Sequence, residues 1–402
     1  MRFLRTELFT YPSRIEFSIL IIVEFGWSEE DLTFRKEVRA FLDAELGDAW
    51  IGNTAILGSP ENVDFSRHFA AALAQRGWLT PHWPVEHGGN AASSWQHAIL
   101  GEELWSIGEP RGPQYMNVNW IGPSIMRFGT EEQCREHLPR IASGDVIWCQ
   151  GFSEPEAGSD LAALRTRAVR DAEEYVVNGQ KVWTSYASVA DFCYLLVRTG
   201  SEASGSRGIT VLLVPMGLPG LEVRDVGSVI GDHAFHELFL TDLRVPASCR
   251  LGPENEGWEV VRQALSYERV GAPRWARAQH VLDEVAAWAR RHGQLDTPWV
   301  QERLGEARAA TEAARLLFYL VIDEREQQLP PSANANVARV AMVDAERLVG
   351  RLAADLLGPA GLESGTIADS ALRKSMAAGV AAGTYEIQLN MVARRVLGMP
   401  KS

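Results

Sequence analysis

The 402-residue chain is 46% hydrophobic and 23% charged, an ordinary balance for a globular protein of two or three cooperating domains. A formal net charge of −13 argues against nucleic acid as a partner, because a phosphate-binding surface needs clustered Lys and Arg. The four cysteines (Cys134, Cys149, Cys193, Cys249) have no metal-binding spacing and read as reduced thiols of a cytoplasmic protein, with no metal site.

Residues 1–26 read as an N-terminal extension that packs on the body. Its FSILIIVEF run is far shorter than the roughly 20 residues that span a bilayer, and GWSEEDL after it offers no small-residue cleavage site. No membrane insertion is expected. Residues 28–46 open on Ser28 as an N-cap, follow with acids, and space Leu32, Val38, Phe41, Leu42 and Leu46 along one helical face. Helical periodicity recurs at 64–76, 95–107 and 130–142. From about 148 the period shortens. EYVVNGQKVWTS reads as strand, Asn-Gly turn, strand. DFCYLLVRT, GITVLLVPM, LEVRDV and HELFLTDLRVP continue as short β runs. Helical spacing returns over 257–292, 296–327, 333–357 and 384–397. The expected fold is α+β: a helical domain over 27–147, a β-barrel-like middle domain over 148–256 and a C-terminal helical bundle over 257–402.

The most informative stretch is WCQGFSEPEAGSD at 148–160, where two glycines and a Ser-Glu-Pro step keep backbone open and Ser153 and Ser159 add hydroxyls. Taken alone it fits either a ligand loop or an ordinary polar connection. With NGQKVWTS and GTYEIQ following in order, it resembles the acyl-CoA dehydrogenase family of flavoproteins. PHWPVEHGG, LPRIASGD and LRVP support the same likeness, which covers the chain from about 27 to 398.

The resemblance implies an N-terminal helical domain, a β-domain and a C-terminal four-helix bundle. It implies FAD-dependent α,β-dehydrogenation of an acyl-CoA, with electrons passed to an electron-transfer flavoprotein. By motif position, Gln150, Gly151, Phe152, Ser153 and Ser159 border the flavin, and Ser159 also lies by the CoA arm. Trp183, Thr184 and Ser185 match the segment that packs against the isoalloxazine. Thr384 caps a helix at its phosphate-attracting end, and Glu386 falls on the adenosine side.

In the family the base is commonly a Glu in a Tyr-Glu-Gly-Thr step. Here Ala382 occupies that position. Its backbone N–H can still polarise the thioester carbonyl. Some members acting on branched or bulky substrates supply Glu from a Leu-x-x-Glu-Arg helix instead, and Leu265–Arg269 matches that pattern. The likeness therefore makes Glu268 the base and Arg269 a substrate-side residue. WARRHGQLDTP lacks the family's Phe-Gly step near the pyrophosphate, and LLGPAGLES is altered at the adenine side. A flavin site completed by an unlike subunit is one explanation. Heteromeric members of steroid side-chain catabolism divide the work in that way and often move the base to the earlier helix, so the resemblance implies a homo- or hetero-oligomer with another acyl-CoA dehydrogenase subunit. The alternatives are a non-catalytic subunit of such an assembly and a flavin monooxygenase on the same fold.

Overall fold

The computed structural model describes residues 27–47, 50–55, 58–231, 233–262, 264, 272–361, 363–381 and 383–400. The extension over 1–26 lies outside them. Helix α1 (Glu29–Leu46) begins where its capping box dictates: Asp31 N donates to Ser28 Oγ, and the Asp31 carboxylate accepts from Ser28 N, both at 3.0 Å. Helix α2 (Pro60–Gln75) is capped by Ser59 with Pro60 at its first turn, and α3 (Ser94–Ser106) by Ser93. Then come α4 (Gln114–Met116), a π-helical turn at Asn117–Ile121, α5 (Gly122–Phe128) and α6 (Glu131–Ala142), the last with a Thr130–Gln133 capping box.

The middle of the chain forms one mixed sheet: β1 (Trp148–Gly151), β2 (Arg167–Asp171), β3 (Glu174–Ser185), β4 (Phe192–Arg198), β5 (Ile209–Pro215), β6 (Leu221–Val226), β7 (Phe235–Pro246) and β8 (Arg250–Leu251). The order is β6-β7-β3-β2-β4-β5-β8, with β1 parallel to β4. Every residue of β4 is buried, because its two faces enter different cores. Phe192, Tyr194 and Leu196 join the large core shared with the helices, while Cys193, Leu195 and Val197 join a second cluster enclosed by the strands.

The C-terminal part contains α7 (Arg274–Arg291), α8 (Pro298–Glu326), α9 (Asn334–Gly361, interrupted at Gly358), α10 (Ile367–Ala377) and α11 (Tyr385–Arg395). An aromatic cluster ties this bundle to the N-terminal helices: Trp27 meets Trp95 and Tyr319 edge-on at 5.3 Å each. Among the described residues no helix is long and apolar enough to cross a membrane.

Three sequence expectations change. Asn178-Gly179 is not a hairpin turn; β3 runs unbroken through it with a register shift between Val177 and Gly179. Asn178 hydrogen-bonds both the backbone and the carboxylate of Asp242 on β7, and a Cβ on Gly179 would lie 2.7 Å from Thr166 Cα. The pair marks a bulge with a close backbone approach. The helical pattern over 257–292 is also not continuous, since Ala272 and Pro273 are non-helical and α7 starts after them, as a proline without an N–H and its restricted predecessor favour. Finally, α10 falls between the helical runs expected at 333–357 and 384–397, although Thr366 caps it through Asp369 N.

Candidate active site

The 152–154 stretch is pinned to β3 at successive residues. Val182 N donates to Ser153 O at 2.9 Å, and Lys181 Nζ donates to Phe152 O at 3.1 Å and to Glu154 Oε1 at 2.7 Å. Glu154 also accepts from the backbone N–H groups of Arg165 and Thr166 at 2.6 and 2.9 Å. Burial pushes the Lys181 ammonium down to about 8, with Glu154 opposing, so it stays charged at neutral pH. Burial alone would raise the Glu154 carboxyl, but Lys181 and the hydrogen bonds outweigh it and hold the group below its ordinary value. A doubly anchored ion pair thus fixes the loop's base, while its tip stays open: Ser159 is exposed, and a Cβ on Gly158 would meet nothing within 4 Å.

From the helical side, the π turn presents two side chains in different directions. Trp120 Nε1 donates to Gln150 Oε1 at 2.8 Å, and Asn119 borders a cavity. A wide helical turn of this type commonly marks a functional site. Gly151 is closely packed, its missing Cβ lying 2.8 Å from Leu195 Cδ1, and Phe152 leans on Tyr194 with centroids 5.7 Å apart.

At the end of β3, Trp183 has φ +60° and is 55% exposed, braced edge-on by Phe235 at 5.7 Å. A large aromatic held outward on a strained backbone suits a ligand's flat face. Next to it Thr184 is buried, its Oγ1 without a hydrogen-bond partner, while its carbonyl accepts from His236 Nδ1 at 3.2 Å. Ser185 pairs with Phe235. The outward indole offers an aromatic surface on which a planar group could stack.

On the bundle, Thr384 Oγ1 caps α11 by accepting from Ile387 N at 3.3 Å, with Glu386 exposed in the first turn. Glu268, Arg269 and Ala382 lie outside the described residues. Residues on either side of the first two do not: Arg262 and Pro273 both line a cavity of about 810 Å³ between α3, the π turn and α8. Its other walls include His97 and Gly101 from α3 and Phe318, Val321 and Ile322 from α8.

Sequence reading missed two features. One is the Glu154–Lys181 pair, whose halves stand in separate motifs. The other is a stack of His82 on His97, centroids 3.9 Å apart and planes within 12°, in the cavity wall. PHWPVEHGG contains His82, but nothing in local spacing links it to His97.

The chain thus joins a mixed sheet that carries an outward Trp and a pinned Gly-Ser loop to helices that enclose a large cavity, an α+β architecture. Three family models match in order: the N-terminal domain of acyl-CoA dehydrogenase over 28–145, its middle domain over 149–243 and its C-terminal domain over 255–397. The chain belongs to the acyl-CoA dehydrogenase family, oxidoreductases that act on CH–CH groups. It is 35% identical over 387 residues to acyl-CoA dehydrogenase FadE26 of Mycobacterium tuberculosis, covering 91% of this chain and 93% of that one. Acyl-CoA dehydrogenase IpdE1 of the same organism is 32% identical over 381 residues, covering 92% and 97%. Among solved structures, the Tcur3481-Tcur3483 steroid ACAD superposes with a TM-score of 0.88 at 32% identity, over 94% of this chain and 100% of that chain.

Proposed function

We propose that this chain is an FAD-dependent dehydrogenase that forms an α,β double bond in the CoA thioester of a bulky, polycyclic acyl group. The observation that carries the reading is the 810 Å³ cavity, in the upper part of the roughly 300–1,000 Å³ range of small-molecule pockets; Asn119 in its wall stands next to Trp120, which hydrogen-bonds Gln150. Its likeness to a steroid ACAD and to the ChsE4-ChsE5 complex from Mycobacterium tuberculosis (TM-score 0.83, 32% identity) supports the substrate class and an assembly with a related subunit. Exposed Met376, Val380, Leu389, Val396, Leu397 and Met399 near the C-terminus fit such a contact. An electron-transfer flavoprotein is the proposed electron acceptor, and the cytoplasm the proposed location.

In this reading Gln150, Gly151, Phe152, Ser153, Trp183, Thr184 and Ser185 hold the isoalloxazine, and Thr384 and Glu386 face the adenosine end. FAD, when bound, supplies the acceptor for the β-hydride. Glu268 takes the α-proton, and the electron pair left at the α-carbon closes the double bond as the β-hydrogen departs. That both ends of its segment reach the cavity supports this role for Glu268. A carboxylate in such surroundings gains basicity by desolvation. Arg269 and Ser159 bind substrate, and the N–H of Ala382 polarises the carbonyl.

The test is anaerobic mixing of the flavin-loaded protein, alone and with its related subunit, with fused-ring acyl-CoAs. Wild type should bleach the flavin, and Glu268→Gln should slow bleaching by roughly 100-fold or more while still binding both ligands. A normal rate in Glu268→Gln overturns the assignment of the base. A wild-type chain that never bleaches in either form makes it the non-catalytic subunit, and flavin turnover that requires oxygen makes it the monooxygenase.

A further inference from the structure

His82 and His97 lie 15 residues apart in sequence, one in the loop before α3 and one on α3 itself. Folding stacks their rings at 3.9 Å in the cavity wall, which Asn119 also lines. His82 Nδ1 is buried without a hydrogen-bond partner. Two imidazoles stacked in the wall beside Phe318, Val321 and Ile322 must be desolvated to sit there, a cost that an apolar ring pair would avoid.

Their chemistry is narrow. Burial, reinforced by the charges of Arg111 and Arg325, pushes His82 down to about 3, and His97 is also held well below its ordinary value, with His82 contributing. Both rings are therefore neutral at physiological pH. Groups so weakly basic make poor proton acceptors for catalysis. A metal site is no better an account, since no cluster of three His, Cys, Asp or Glu suited to a metal occurs among the described residues. What a neutral imidazole does offer is one N–H donor and one ring-nitrogen acceptor, fixed in direction. The N–H makes an electron-rich oxygen a suitable partner.

We infer that the stacked His82–His97 pair is a specificity element that hydrogen-bonds a keto or hydroxyl oxygen carried by the polycyclic acyl group in this cavity. The inference rests on the dehydrogenase reading for the identity of the ligand, and it adds a requirement: the acyl group is oxygenated on its ring system. A site built around a hydrogen bond rejects the analogue that lacks the partner, whereas an apolar wall alone discriminates little.

The test uses two fused-ring acyl-CoAs identical except for one ring ketone, titrated calorimetrically into the flavin-loaded protein, with flavin bleaching followed in parallel. Wild type should bind the ketone about tenfold more tightly than its deoxygenated partner. His97→Phe, which keeps the stack and the volume, should bring the two within about twofold without weakening the deoxygenated ligand. His82→Phe should act in the same direction, and His97→Gln, which keeps a donor, should retain most of the preference. Equal affinities in wild type, or a preference unchanged in both Phe variants, overturn the inference. A tenfold preference without bleaching sustains the role of the pair and refutes the dehydrogenase reading. Bleaching by both ligands at equal affinity does the reverse.

Discussion

Replacing Lys181 by Met tests whether the buried ion pair holds the loop at 152–154. The Lys181 side chain is fully buried and that of Glu154 is 7% exposed, so the substitution strands a carboxylate away from water. Breaking such a pair costs about 3–5 kcal/mol. Two backbone N–H donors remain on Glu154, so the working figure is about 2–4 kcal/mol, and for a chain of 402 residues the melting point should fall by roughly 2–5 °C. Thermal release of flavin fluorescence is the assay. Adding Glu154→Gln should recover part of the loss, because it removes the uncompensated charge and keeps an acceptor for the two N–H groups. The pH dependence has a definite sign. In wild type the depressed Glu154 pKa contributes stability above about pH 4.3, lost as pH falls through the folded value. In Lys181→Met only the two N–H donors still oppose burial, the largest influence on the group, so the carboxyl shifts upward and stability is lost as pH rises through its new value. The deficit should therefore widen between pH 4 and pH 7. A Lys181→Met protein that melts within about 1 °C of wild type, or a double variant no better than the single, refutes the reasoning.

Trp183→Gly relieves the backbone at φ +60° and removes a half-exposed ring, so it should leave the melting point of the flavin-free protein within about 2 °C. If the indole packs against a planar cofactor, flavin affinity measured by absorbance after dialysis should fall at least about tenfold; unchanged retention would remove Trp183 from the site. Lys374 sits on α10 with its ammonium donating to Asn53 O, and burial, reinforced by Arg277 and opposed by Glu346, pushes it down to about 7. Its folded pKa lies below the unfolded value of about 10.4, so wild-type stability should rise from pH 7 toward pH 10. Lys374→Met should flatten that rise in urea midpoints taken at pH 7 and pH 9, and an equal rise in both proteins would count against it.

What the sequence discloses here depends on the range of the interaction involved. Ser28, Thr130 and Thr384 cap their helices as local chemistry requires, because an N-cap answers to donors within three residues. The family follows from ordered motifs. Ala272-Pro273 and Gly358-Pro359 carry local breaking signals, though helical spacing around the first obscured it. Asn178-Gly179 misleads because the decisive partners, Thr166 and Asp242, lie elsewhere in the chain. The Glu154–Lys181 and His82–His97 pairs are invisible for the same reason.

Trp183 shows how a non-local detail reaches the site. Counting by twos along β3 from buried Tyr175 and Val177 puts 179, 181 and 183 on the inner face, which would make Trp183 an ordinary core aromatic. Lys181 obeys the count and is buried. The register shift between Lys181 and Thr184 then reverses the parity, so Thr184 turns inward and Trp183 outward. Only the pairing of β3 with β7 determines where that shift falls. The outward Trp183 and the inward, unpartnered Thr184 hydroxyl are thus two results of one irregularity, the slip of the ladder at that point.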